Sequence, residues 1–133
     1  MGYYSDFEND LYDMYFDAGV LTEDMFKEFQ KDTHFQNFLW ITNAQIHFAD
    51  TPEHGPHVTM IEFPENGAED AKGYSFEADL EYVAEVLNQY ADAPLHGDIL
   101  RSGERIGDIE KYIINEDGTV TSKKARIVFD TVE

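Results

Sequence analysis

The sequence predicts an α+β fold: N-terminal helices, then an antiparallel sheet of about five strands with one amphipathic helix, residues 76–91, packed on it. Three observations carry this. Apolar residues recur every three or four positions in the first third of the chain. The period changes to alternation after Ala44. Turn chemistry then divides the last third into short runs. The 133 residues fit one domain, with an acidic helical part over 1–41 and a sheet-plus-helix part over 44–133.

Tyr4, Phe7, Leu11, Met14 and Tyr15 share the spacing of one helical face, which predicts a helix over 4–17. Ser5 or Asp6 suits its start and Gly19 its end. Thr22 caps a second helix, with Glu23 and Asp24 in its first turn and Met25, Phe26 and Phe29 on its apolar side. The aromatic stretch 33–41 reads equally as a short helix or as the start of a strand. Ile46 and Phe48 alternate with Gln45 and His47, predicting a strand. It is hairpin-paired through DTPEHGPH to a second strand over 57–63. Phe76, Leu80, Val83, Ala84, Leu87 and Ala91 form one stripe of a helix capped by Ser75 and ended by Ala93-Pro94. LHGDILRSG, DIEKYIIN and TVTSKKARIVF read as three strands, the last two joined by Glu116-Asp117-Gly118.

Charge is the outlier. Twenty-eight acids face nine bases, a net charge of −19, where a small domain needs a magnitude of only about 2–8 for solubility. Residues 1–32 carry −7, 33–72 carry −5, 73–97 carry −5 with no base, and 98–133 only −2. Such a surface disfavours direct binding to nucleic acid or anionic lipid and selects cations or basic proteins. Adaptation to high salt fits poorly with ten Phe and eight Tyr. There is no apolar run long enough for a membrane span and no signal-peptide pattern, so a cytoplasmic protein is expected. With no cysteine, disulfides, thiolate metal sites and thiol nucleophiles are excluded.

The C-terminal half and first four residues resemble small uncharacterised proteins of phages and mobile elements. The matching residues are Met1-Gly2-Tyr3-Tyr4 and then Gly103, Glu104, Gly107, Asp108, Ile109, Tyr112, Asp117, Gly118 and Val120. The resemblance implies a phage-like origin and no particular activity.

Two carboxylate rows are the candidate partner-binding residues. On a helix, Asp6, Asp10, Asp13 and Asp17 would line one side, at a cost of about 0.2–0.5 kcal/mol for each like-charged i, i+4 neighbour. Glu77, Glu81 and Glu85, flanked by Asp79, repeat every turn, about 6 Å apart. Such rows resemble the phosphates of a nucleic-acid strand, and arginine on a partner would pair with them bidentately. His54 and His57, with Glu53 and His47 nearby, form a weak zinc-like pattern lacking a firm third ligand; water-facing loop histidines are the expectation, and no metal or cofactor is assigned. His34 and His96 look isolated. No phosphate-binding glycine loop or nucleophile elbow is present, and no catalytic residue is assigned.

The function expected is therefore that of an acidic, non-enzymatic inhibitor, phage-encoded, that binds a basic nucleic-acid-binding protein of the host defence. In size and charge it resembles anti-CRISPR and anti-restriction proteins, as a nucleic-acid mimic. Immunity against a basic nuclease toxin is the alternative, and a small metal-dependent enzyme the second. The sequence leaves the oligomeric state open.

Overall fold

The computed structural model describes residues 3–72 and 76–126. The chain order is β1 (Ser5–Leu11), β2 (Met14–Tyr15), α1 (Glu23–Phe29), α2 (Thr33–Thr42), β3 (Gln45–Thr51), β4 (Gly55–Glu62), α3 (Phe76–Leu87), β5 (Gly97–Gly103), β6 (Ile109–Ile114) and β7 (Val120–Lys124). The α+β class holds, with every strand pairing antiparallel. The strands form two sheets, of order β1-β5-β6-β7 and β2-β4-β3.

The expected helix over 4–17 is not formed; β1, a corner at Tyr12-Asp13, and β2 stand in its place. Alternation decides this. Ser5, Phe7 and Asn9 are buried while Asp6, Glu8 and Asp10 are exposed, and Met14 and Phe16 then point inward. A strand separates the acids that a helix would have stacked at i, i+4. It also buries Phe16, which the helical stripe omitted, and leaves Tyr15 exposed. Two backbone partners support β1. One side pairs with β5 from Ser5–Gly103 to Leu11–Gly97. On the other, Ser5 and Ala71 exchange backbone hydrogen bonds, and Phe7 and Asn9 donate to Ala68 and Glu65. That edge of the sheet is thus covered.

The other elements follow their signals more closely. Thr22 accepts from Met25 N–H to cap α1. Asp32 accepts from His34 N–H and Phe35 N–H, which settles the ambiguous aromatic stretch as a helix. Asn43, in the left-handed region at φ 52°, ends it. β3 and β4 form the expected hairpin, with an irregularity between His47 and Phe48. α3 stops at Leu87, one turn before the expected Ala91. Gly118, at φ 87°, makes the β6–β7 turn, where its N–H donates to the Asn115 carbonyl. The proposed Ser75 cap and the 127–129 end of the last strand lie outside the described residues.

One core unites the sheets and helices. Phe7 and Tyr112, on the inner face of the four-stranded sheet, both meet Phe76 of α3 edge to face, at 5.7 and 5.4 Å between ring centroids. Phe26 and Phe35 join α1 to α2, and Phe38 packs on Phe63. The inner face is therefore under α3, and the exposed side of α3 points away from the sheet.

Candidate functional site

The structure separates the eight residues expected to bind a partner. Asp6 and Asp10 stand on the outer face of β1, with Glu8 between them. Alternate strand residues are about 6.7 Å apart, so these three form a regular row. Asp13 does not join it: its carboxylate accepts from Phe63 N–H at 2.9 Å and fixes the corner between β1 and β2. Asp17 lies in the turn after β2, where its carbonyl accepts from Val20 N–H. The four-aspartate face therefore does not exist.

A different acid completes the β1 row. Asp98 of β5 lies directly opposite Asp10. Like charges directly opposed across strands are destabilising. Glu8, Asp10, Asp98 and Glu65 border a cavity of about 540 Å³, with Leu100 and Lys111 on its far side. Period-two reading of 5–11 would have brought out Glu8; Asp98 needed the strand register.

On α3, Glu81 and Glu85 are exposed and Glu77 is half-buried. The β6–β7 turn comes beside them, and Asp117 shares a depression of about 370 Å³ with Glu81 and Glu85. The Thr119 hydroxyl, and then its backbone N–H, hold the Asp117 carboxyl below its usual range. Asp79 is not part of this surface. Its side chain is 7% exposed, and its carboxylate is hydrogen-bonded to His34 Nδ1 at 2.6 Å. It ties α2 to α3, and His34 also lies against Tyr82. The sheet row and the helix row face opposite sides of the molecule.

The histidines divide by role. His57 is buried at 1% exposure in β4, with Nδ1 against the Gly55 carbonyl; the expectation of a water-facing residue is corrected here. His54 is exposed, His47 pairs with Glu62 at 2.9 Å, and His96 stacks on Tyr12. Among the described residues, no group of three or more His, Asp or Glu is placed to hold a metal ion.

A polar network lies at the other end of the four-stranded sheet. Arg101 grips Asp108 through both terminal nitrogens, at 2.8 and 3.2 Å, and approaches Glu110 at 3.4 Å. Tyr112 donates to Glu110 at 2.6 Å and Arg101 donates to Ser5 Oγ. Tyr3 donates to Asp108, and its oxygen accepts from Arg105 N–H. The Arg101 hydrogen bonds, then that from Tyr3, hold Asp108 at about 2. The bond to Asp108 raises Arg101 further above its ordinary value. Burial, then Glu110, push the Tyr112 phenol up. A methyl group on Gly103 would overlap both the Tyr3 hydroxyl and the Asp108 carboxylate, so a side chain there would displace the two groups. Every charge here has a partner, and the arrangement serves to fix the 104–107 turn.

No family model matches the chain, and no curated protein or solved structure is similar to it at a significant level.

Proposed function

We propose that this protein is an acidic, non-enzymatic inhibitor that occupies the cationic nucleic-acid-binding groove of a host defence protein. The observation that supports this reading most is the α3 surface. Glu77, Glu81 and Glu85 repeat about 6 Å apart on a rigid helix, joined by Asp117, with no salt bridge to any of the four among the described residues. Stability alone gives no reason for such a row, since each i, i+4 repulsion costs a few tenths of a kcal/mol. A groove lined with arginine and lysine would convert that repulsion into binding. Phage origin and the anti-CRISPR or anti-restriction setting belong to the same proposal and rest on size, charge and the sequence resemblance.

The test is displacement of a labelled oligonucleotide from purified basic nucleic-acid-binding proteins, including a CRISPR effector and a restriction enzyme. The wild-type chain should displace it from its target, and Glu77→Gln/Glu81→Gln/Glu85→Gln should not. Displacement by the triple variant equal to wild type would overturn the assignment of this surface. Failure against every target would overturn the function.

A further inference from the structure

The strand register orders the outer face of the four-stranded sheet by charge. Across one row lie Glu8, Leu100, Lys111 and Lys123, one from each strand in the order β1-β5-β6-β7. The row above is Asp10, Asp98, Ile113 and Thr121, and the row below begins Asp6, Ser102 and Ile109. Acid thus fills the β1 side, lysine the β6–β7 side, and Leu100, Ile109 and Ile113 the middle. α3 covers the opposite face, and no described element packs on this one. Depressions of about 540 and 260 Å³ flank Leu100 and Lys111, which line both.

We infer that this face is a self-association interface, and that its occupant is a second copy of the chain, stacked sheet to sheet about a two-fold axis parallel to the strands. The argument is charge complementarity under symmetry. That axis turns the partner's sheet over and reverses its strand order, so β1 of one copy lies over β7 of the other and β5 lies over β6. It leaves position along the strands unchanged. Glu8 of each copy therefore meets Lys123 of the other, twice per dimer, while Leu100 packs on the Lys111 stem and the central isoleucines. An axis across the strands would set β1 on β1 and bring all its acids together. The charge order selects the first arrangement.

The sheet measures about 19 Å across its four strands and about 20 Å along them. That footprint, about 380 Å² on each copy, is about half the area per partner of a standard specific interface, and two chains of net charge −19 repel each other at long range. A weak, reversible dimer is the consequence. It leaves both α3 surfaces pointing outward, so it neither requires nor blocks the proposed inhibitory contact.

The test is sedimentation equilibrium at physiological salt over a range from micromolar to submillimolar protein. The wild type should pass from the chain mass of 15.3 kDa towards twice that value. Glu8→Lys and Lys123→Glu alone should each weaken association at least about tenfold, since symmetry doubles each like-charge contact. An equimolar mixture of the two variants should recover dimers, because each reversed pair then meets its complement. Glu8→Lys separates this from a general charge effect: it makes the chain less acidic, which by itself would strengthen association. Unchanged thermal unfolding of dilute samples confirms that both variants fold. A wild type that stays monomeric throughout overturns the proposal, whether the face is then covered by residues 127–133 or by another protein. So does a dimer indifferent to either substitution, or a mixture that remains monomeric.

Discussion

The Tyr3 hydroxyl donates to Asp108 at 2.5 Å, joining residues 105 positions apart. Tyr4 makes a parallel link, its N–H donating to the Glu104 carboxylate at 3.0 Å. The beginning of the chain is thereby fastened to the β5–β6 turn. The strand opening and the turn also share one guanidinium, since Arg101 donates to both Ser5 and Asp108. Ile106, at 97% exposure, sits at the tip of the turn so held.

This pairing predicts acid sensitivity. Asp108 titrates at about 2 when folded and near 3.9 when unfolded. A depressed carboxyl pKa contributes stability that is present above the unfolded value and is lost as pH falls through the folded one. The loss attributable to Asp108 should therefore lie between about pH 4 and pH 2. Because the carboxylate is 32% exposed, screening reduces its contribution to about 1–2 kcal/mol. Asp108→Asn should remove that part of the pH dependence while lowering stability at pH 7. Urea unfolding at pH 7 and pH 3 measures both, and equal pH slopes in the two proteins would contradict the assignment.

His34 and Asp79 give a second prediction. Asp79 is nearly enclosed between α2 and α3, and His34 is its hydrogen-bonding side-chain partner. His34→Ala strands a buried carboxylate, with an expected loss of about 1–3 kcal/mol. The double change to His34→Ala/Asp79→Ala should cost less than the two single changes added together, since nothing charged is then left without a partner. Additive losses in chemical denaturation would show that the pair is not coupled.

Asp10 and Asp98 are opposed, and neither forms a salt bridge among the described residues. Asp98→Lys should replace repulsion by attraction and raise stability by about 0.2–1 kcal/mol. A lowered melting temperature would mean that Asp98 has a structural role that the register does not display.

Much of the fold was legible because local and tertiary signals agreed. The α3 stripe, the Thr22 cap and the Asp117-Gly118 turn each named an element the structure contains. The N-terminus was misread because its inward positions are Ser5, Phe7 and Asn9, and two polar residues out of three hide a strand's alternation. Asn9 is inward because its amide donates to the Thr42 and Pro64 carbonyls, partners distant in sequence. The helical spacing of Tyr4, Phe7, Leu11 and Met14 was incidental. The repulsion among aspartates four apart was the better signal, since it counted against a helix. For the site, the glutamates of α3 could be placed from periodicity. The opposition of Asp10 and Asp98 could not, because register depends on pairing over nearly ninety residues.

The last prediction asks which acidic row makes the proposed contact. Glu77→Gln/Glu81→Gln/Glu85→Gln preserves side-chain length and removes three charges. Two i, i+4 repulsions disappear, so stability should hold or rise slightly. Asp6→Asn/Asp10→Asn on β1 is the matching change on the other face. The loss of binding should follow α3 alone, because the β1 row shares its sheet face with Lys111 and Lys123, which would repel a cationic groove. Each lost charge-assisted hydrogen bond is worth about 1.5–3 kcal/mol, so two contacts would weaken binding by a hundredfold or more. Affinity should also fall steeply between about 50 and 500 mM salt, as the screening length shortens through about 8 Å. The measurement is a titration of each variant against the same target at both salt concentrations. Loss only in the β1 variant would move the contact to the sheet. Full binding by both variants, with no salt dependence, would show that the acidity solvates the protein and does not recognise a partner.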